Sequence, residues 1–240
     1  MKKQKHYIIG DVHGMYKQLL SLLKKLPKDS NIIFVGDLVD RGEESAKVIK
    51  LVRDRAYQTV LGNHENTMLL YFKDYFSEMS IDEVNKKWTP WLHENGGKET
   101  LHSYKIWDTP HPSKATIQQI KDDLSWIEAL PLFIEIETVH KSQKPVVVSH
   151  SNISKVWHLR ERTKYLAQFK DIATRTRDLE HDVQSNIFNI YGHTVTKEPT
   201  LTSTHVNVDT GAYKYGTLTA YCVEDDSTIT EMKKATFARD

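Results

Sequence analysis

The sequence predicts an α/β fold on three observations. A strand–loop–helix unit recurs three times within the first 76 residues. Each of those loops carries Asp, His or Asn directly after an apolar run. After residue 130, β-branched segments return and strands dominate the rest of the chain.

The first strand is expected over residues 5–9, running into Gly10-Asp11-Val12-His13-Gly14. Leu19, Leu22, Leu23 and Leu26 then recur at helical spacing until Pro27 ends the helix. Ile32-Ile33-Phe34-Val35 reads as a buried strand and opens into Gly36-Asp37-Leu38-Val39-Asp40-Arg41-Gly42. A helix over 43–54 places Val48, Ile49 and Val52 on one side. A third strand, 57–61, leads into Gly62-Asn63-His64-Glu65, with helix over 65–76. Residues 77–130 lose the alternation and gather Trp88, Trp91, Trp107 and Trp126. This stretch reads as a helical insertion over one end of the sheet, with 1–240 forming a single domain, because no Gly/Ser or Pro-rich linker interrupts it. Asn95-Gly96-Gly97 marks a turn, and Ser113 opens a helix bearing Ile117, Ile120, Leu124 and Ile127.

Strands resume over 132–137 and 145–148, the second ending at Ser149-His150-Ser151. Residues 155–185 are charged and read as helix plus loop. A strand over 186–191 ends at Gly192-His193-Thr194. Segments 204–208, 217–223 and 228–232 are β-branched. The first two flank Asp209-Thr210-Gly211-Ala212, which reads as a plain hairpin, so the C-terminal third is expected to be antiparallel. Residues 233–240 are expected to fray.

Composition narrows the function classes. With 33 basic and 32 acidic residues the formal net charge is +1, which supplies no bulk attraction to nucleic acid or to a membrane surface. The single cysteine, Cys222, excludes an intrachain disulfide and suits a reducing compartment. No run approaches the ~20 apolar residues of a membrane span, and the N-terminal residues lack a signal-peptide core. A cytoplasmic location is the expectation.

Five strand-end loops therefore carry Asp11 and His13; Asp37, Asp40 and Arg41; Asn63 and His64; His150; and His193. Carboxylates, imidazoles and an amide oxygen, with no thiolate, suit Mn, Fe or Zn. A carboxylate such as Asp37 can bridge two ions ~3.5–4 Å apart, a geometry that activates a hydroxide for in-line attack on phosphorus. Arg41 offers a planar fork for phosphate oxygens. His64 is placed to protonate the leaving alkoxide, and Asp40 to fix its tautomer and raise its pKa. The expected cofactors are two divalent ions, Mn2+ first, with Fe, Zn or Ni as substitutes.

At Gly10–Gly14, Gly36–Gly42, Gly62–Glu65, His150 and Gly192–Thr194, in that order, the chain resembles the phosphoprotein-phosphatase branch of the calcineurin-like metallophosphoesterases. The small bacterial serine/threonine phosphatases are the nearest type by this resemblance. It implies a β-sandwich of two mixed sheets flanked by helices. It also implies that Asp11, His13 and Asp37 hold one metal, and that Asp37, Asn63, His150 and His193 hold the other. Position 195 is Val, where many metallophosphoesterases carry a further His ligand; phosphoprotein phosphatases lack it too. Relatives follow the fourth-motif His with small residues; here Ser151-Asn152 is expected to alter the floor of the cleft. A second phosphate-gripping arginine is expected among Arg160, Arg162, Arg175 and Arg177, with Arg175 and Arg177 on the approach to the last ligand strand.

The resemblance implies a phosphatase acting on phosphorylated Ser/Thr, and also Tyr, in proteins. Diadenosine tetraphosphate hydrolases share the motifs and are the alternative. A non-catalytic module ranks last, because no ligand position is substituted. The implied partner is a phosphorylated protein or small phosphoester, not a nucleic acid or a membrane.

Overall fold

The computed structural model describes residues 4–109, 111–180 and 182–233. The chain begins with β1 (His6–Ile9), α1 (Tyr16–Lys25), β2 (Asn31–Phe34), α2 (Ser45–Asp54), β3 (Gln58–Thr59) and α3 (Asn63–Tyr75). Four helices follow: α4 (Ile81–Lys87), α5 (Thr89–Glu94), α6 (Gly97–Ser103) and α7 (Lys114–Glu128). Ser80 and Ser113 cap α4 and α7, each side chain accepting from the backbone three residues on. Then come β4 (Phe133–Val139), β5 (Pro145–Ser149), two short 3-10 turns, α8 (Leu166–Arg175), β6 (Phe188–Tyr191), β7 (Thr200–Leu201), β8 (His205–Asn207), β9 (Thr217–Cys222) and β10 (Ser227–Met232).

The strands form two five-stranded mixed sheets, ordered β10-β9-β1-β2-β3 and β4-β5-β6-β8-β7. β1, β2 and β3 are parallel, as are β5, β6 and β8, so their C-terminal loops emerge together. Period-two alternation decides which face each side chain covers. Ile8 and Ile33 point into the space between the sheets, where they meet Val146, Val148, Phe188 and Ile190. Their neighbours Tyr7, Ile9 and Phe34 point outward, under Leu19 and Leu22 of α1 and Val48 and Val52 of α2. A second helical core joins Met68, Tyr71 and Phe72 of α3 to Trp91, Leu101, Tyr104, Ile120 and Ile127. Among the described residues, no helix is long and apolar enough to cross a membrane.

The expected hairpin across Asp209–Ala212 does not form. β8 lies in the second sheet, parallel to β6, and β9 lies in the first, antiparallel to β1. The segment between them crosses from sheet to sheet and carries Asp209 inside, 1% exposed. Among consecutive strands of the C-terminal third, β7 with β8 and β9 with β10 realise the antiparallel expectation. A β-branched run is compatible with either partner, and the choice is made by the inter-sheet core, to which Val206, Val208, Tyr221 and Val223 all contribute. Apart from Lys233, the expected frayed end at 233–240 lies outside the described residues.

Candidate active site

The named side chains sit beyond the C-terminal ends of strands, Asn63 and His64 in the first turn of α3 and the others in loops. His13, Asp37, Asp40, Arg41 and His193 all sit at positive φ, between 46° and 69°. Such backbone is strained for non-glycine residues, at roughly 1–3 kcal/mol each, and persists only where the surroundings hold it. Two glycines permit the close approaches. A Cβ on Gly62 would lie 2.2 Å from Asp37 Oδ1, and one on Gly192 would lie 2.0 Å from Asp11 Oδ1.

The structure brings two three-residue clusters together, with Asp37 in both. His13, Asp37 and His64 form one, and Asp37, His150 and His193 the other; within each, the ligand atoms lie within 4.8 Å of one another. The Asp37 carboxylate faces both ways. Its Oδ2 is 3.8 Å from His13 Nε2, and its Oδ1 is 3.4 Å from His150 Nε2. Asn63 Oδ1 lies 3.0 Å from His150 Nε2. Asp11 falls in neither cluster; it lies beside them, where both its oxygens accept from the His193 amide at 3.2 Å. His64 completes the cluster with His13 and Asp37.

The imidazole orientations show what the clusters fit. A backbone carbonyl only accepts, so the ring nitrogen facing it carries the proton. His13 Nδ1 donates to Val39 O at 2.8 Å, His150 Nδ1 to Val35 O at 2.7 Å, and His193 Nε2 to Arg175 O at 3.1 Å. Each ring therefore turns its lone pair inward. With both rings neutral, His150 Nε2 and His193 Nδ1 face each other as acceptors at 3.1 Å, beside Asn63 Oδ1 and Asp37 Oδ1. Four converging acceptors attract a cation, either a proton on His150 or a metal ion. The donor set, N and O without sulfur, suits a divalent transition metal.

The family model described as calcineurin-like phosphoesterase matches residues 5–224. The chain belongs to that family. It is therefore a phosphoric ester hydrolase, and calcineurin-like phosphoesterases use divalent metals, as the two clusters allow. Curated relatives include bis(5'-nucleosyl)-tetraphosphatase PrpE, asymmetrical, from Geobacillus sp. (strain WCH70), 26% identical over 92% of this chain and 91% of that one. The same-named protein of Oceanobacillus iheyensis is 28% identical over 89% of this chain and 86% of its own. Among solved structures, one assigned as a diadenosine tetraphosphatase superposes with a TM-score of 0.63 at 18% identity, covering 98% of this chain and 96% of that chain. A cold-active protein-tyrosine phosphatase from a Shewanella species superposes at 0.56 with 18% identity, over 95% of this chain and 78% of that one. Both superpositions show the fold.

Electrostatics in this calcineurin-like site are those of a cluster built around positive charge. Burial, then Asp209 and Asp37, pushes the Asp11 carboxyl up. Burial and Asp37 push Glu65 up to about 7, and burial pushes Asp209 up to about 6. Burial also depresses the imidazoles of His13 and His193, both to about 3. His64 and His150 move the other way, both raised. Burial disfavours the charged form of His64, but the Asp37 charge and the Asp40 hydrogen bond outweigh burial and push it up to about 9.

That shift sets a pH dependence for the metal-free chain. Folded His64 holds its proton more tightly than the unfolded chain does, so the stabilisation is complete below pH 6.5 and is lost as pH rises through 9. His150, also raised, acts in the same direction. Chelated protein is expected to lose about 3 kcal/mol between pH 6.5 and 9 through His64. Urea unfolding across that range, wild type beside His64→Gln, measures it; equal slopes for the two would refute it.

Three supporting residues carried no role in the sequence reading. Glu65 is fully buried, and its two oxygens accept from the amides of Asp37, Leu38, Val39 and Gly62 at 2.7–3.2 Å. It holds the turn that aims Asp37. The signal was present: Glu65 stands three residues after the N-cap Gly62, at the capping-box position. Glu65→Gln turns an NH2 toward two of those donors and is expected to cost on the order of 2 kcal/mol. Unfolding within roughly 0.5 kcal/mol of wild type would contradict that. Trp91 and Thr100 are the other two. Trp91 Nε1 donates to Asp40 Oδ2 and Thr100 Oγ1 to Asp40 Oδ1, both at 2.7 Å. Neither had a local signal for this, because α5 and α6 reach Asp40 only through tertiary packing.

Arg41 is pinned by the 94–96 turn. Its guanidinium donates to Glu94 O at 2.6 Å and Asn95 Oδ1 at 2.9 Å, and lies 5.2 Å from the Tyr213 ring centre; its Nε is buried without a hydrogen-bond partner. Arg175 lines the cleft with Asn63 and His64. Arg177 is near enough for its charge to depress His193 and Asp209. Ser151 and Asn152 are both buried. Ser151 bonds to the carbonyls of Ile172 and Ala173, and Asn152 to that of Glu180, so the pair anchors the C-terminal end of α8 and the chain beyond it.

Proposed function

We propose that this calcineurin-like phosphoesterase hydrolyses dinucleoside tetraphosphates asymmetrically, into a nucleoside triphosphate and a nucleoside monophosphate. The observation that carries the reading is the run of curated relatives named for that activity, aligned over about nine-tenths of both chains. It favours the dinucleotide over the phosphoprotein substrate that the motif resemblance put first.

Asp11, His13, Asp37, Asn63, His150 and His193 would hold two divalent cations, with Asp37 shared. Bound ions would supply Lewis acidity toward a phosphoryl oxygen and lower the pKa of water. The chain's own groups do the rest. Arg41 and the arginines at 175 and 177 orient the phosphate and offset its charge. His64, protonated through its contacts with Asp37 and Asp40, gives its Nε2 proton to the departing oxygen. Asp40 fixes the ring through Nδ1 at 2.6 Å.

The test is chromatography of products from a dinucleoside tetraphosphate and from a phosphoserine peptide, with Mn2+, Mg2+, Zn2+ and Ni2+ in turn. The expected result is triphosphate plus monophosphate, with the dinucleotide preferred at least tenfold in kcat/KM. Preference for the phosphopeptide, or release of two diphosphates, would overturn the reading.

A further inference from the structure

His64 opens onto a groove of about 390 Å3, the size of a small-ligand site. Asn63, His64, Thr67 and Leu70 line it at the spacing of one face of α3. His64 to Leu70 is a run of about 9 Å along the helix. At the far end stands Trp88. Its ring is fixed by Nε1, which donates to Asp74 Oδ2 at 2.7 Å, while Lys87 Nζ meets the same oxygen at 2.7 Å and lies 5.7 Å from the indole centre. Arg175 also lines the groove. Leu70 is 44% exposed, although Met68, Tyr71 and Phe72 of the same helix are buried. The proposed chemistry uses none of Leu70, Lys87 or Trp88.

The direction of the groove follows from His64. It protonates the oxygen that leaves, so a groove that starts at His64 receives the departing half of the substrate. Hydrolysis adds one water: its oxygen bonds to phosphorus, the bridging P–O bond breaks, the departing nucleotide's oxygen takes the His64 proton, and the proton released by the water passes to solvent, from which His64 is reprotonated. An aromatic face, an exposed aliphatic side chain and two cations suit a flat heterocycle carrying several phosphates. A phosphoprotein's departing seryl oxygen would bring neither the ring nor the extra charge.

We propose that this groove is the subsite of the departing nucleotide, with its base stacked on Trp88 against Leu70 and its phosphates passing Arg175 toward His64. The proposal rests on the dinucleotide reading above. Asp74 is a positioning residue here, since one of its oxygens holds both Trp88 and Lys87.

The test is steady-state kinetics of Trp88→Ala, Trp88→Phe and Leu70→Asp on a dinucleoside tetraphosphate and on p-nitrophenyl phosphate, which is too short to reach Trp88. Base stacking predicts that Trp88→Ala raises KM for the dinucleotide roughly 5- to 100-fold with kcat nearly unchanged. Trp88→Phe restores most of it. Leu70→Asp, at an exposed position that tolerates substitution, also raises KM by placing a carboxylate in the groove. The ratio of kcat/KM for the dinucleotide to that for p-nitrophenyl phosphate falls accordingly. Wild type that cleaves the dinucleotide, with both Trp88→Ala and Leu70→Asp within twofold in KM, ends the subsite alone. Wild type that cleaves p-nitrophenyl phosphate and leaves the dinucleotide intact ends the substrate reading and the subsite with it.

Discussion

Replacing Asp37 with Asn is expected to lower turnover by at least about 10³-fold, equivalent to about 4 kcal/mol of transition-state stabilisation. The substitution is gentle on the fold. Asp37 sits at φ +49°, a conformation that Asn tolerates better than most residues, and an amide keeps Oδ1 for the His64 amide bond, now 3.1 Å. What it removes is the charge and one of the two oxygens, the one facing His13 and His64. If Asp37 is shared between two cations, both clusters lose affinity together. Metal analysis after gel filtration should find the bound stoichiometry falling from two ions to below one. Retention of two ions and wild-type turnover would remove Asp37 from the centre of the mechanism.

The second large effect is at the His64–Asp40 pair. His64→Gln is expected to reduce kcat by about 10²–10⁴ on substrates with a poor leaving group, and by much less on p-nitrophenyl phosphate, whose leaving group needs no proton. Equal losses on both would sink the assignment of His64 as general acid. Asp40→Asn separates charge from geometry. Asp40 sits at φ +69°, where Asn is tolerated; an Asn oxygen can still accept from His64 and Trp91, and the amide NH2 can donate to Thr100. The position keeps its contacts but loses its negative charge, so His64 binds its proton less tightly. The alkaline limb of the kcat–pH profile should move to lower pH by about one unit or more, with kcat reduced at pH 8 and largely recovered at lower pH. An unmoved limb would show that the Asp40 charge does not tune the acid.

Much of this architecture was legible along the chain because local chemistry imposed it. β1, β2, β5 and β6 are short buried runs, each passing directly into a loop of Gly, Asp, Asn or His, and such loops are where parallel strands expose polar groups. Helices α1, α2, α3 and α7 followed from apolar spacing and from Pro27 and Ser113 at their ends. The crossing at Asp209 was not legible. β8 and β9 have hairpin-like sequences, and which strand a β-branched segment pairs with depends on segments far away in sequence. The placing of Trp91 and Thr100 on Asp40 was hidden for the same reason.

The amino-acid sequence by itself determined the inventory: two mixed sheets' worth of strands, and a set of carboxylates, imidazoles and one amide, each bound to a strand end by its neighbours in the chain. Only the tertiary structure decided how those groups face one another. It tied one ring nitrogen of His13, His150 and His193 to a backbone carbonyl up to 115 residues away and turned the other inward. It set Glu65 beneath the Asp37 turn, sent 209–216 between the sheets, and left Trp88 and Leu70 lining a groove that begins at His64. The division is physical. Strand, helix and turn preferences act over a few residues, whereas hydrogen-bond satisfaction in a buried pocket requires partners supplied by the whole chain.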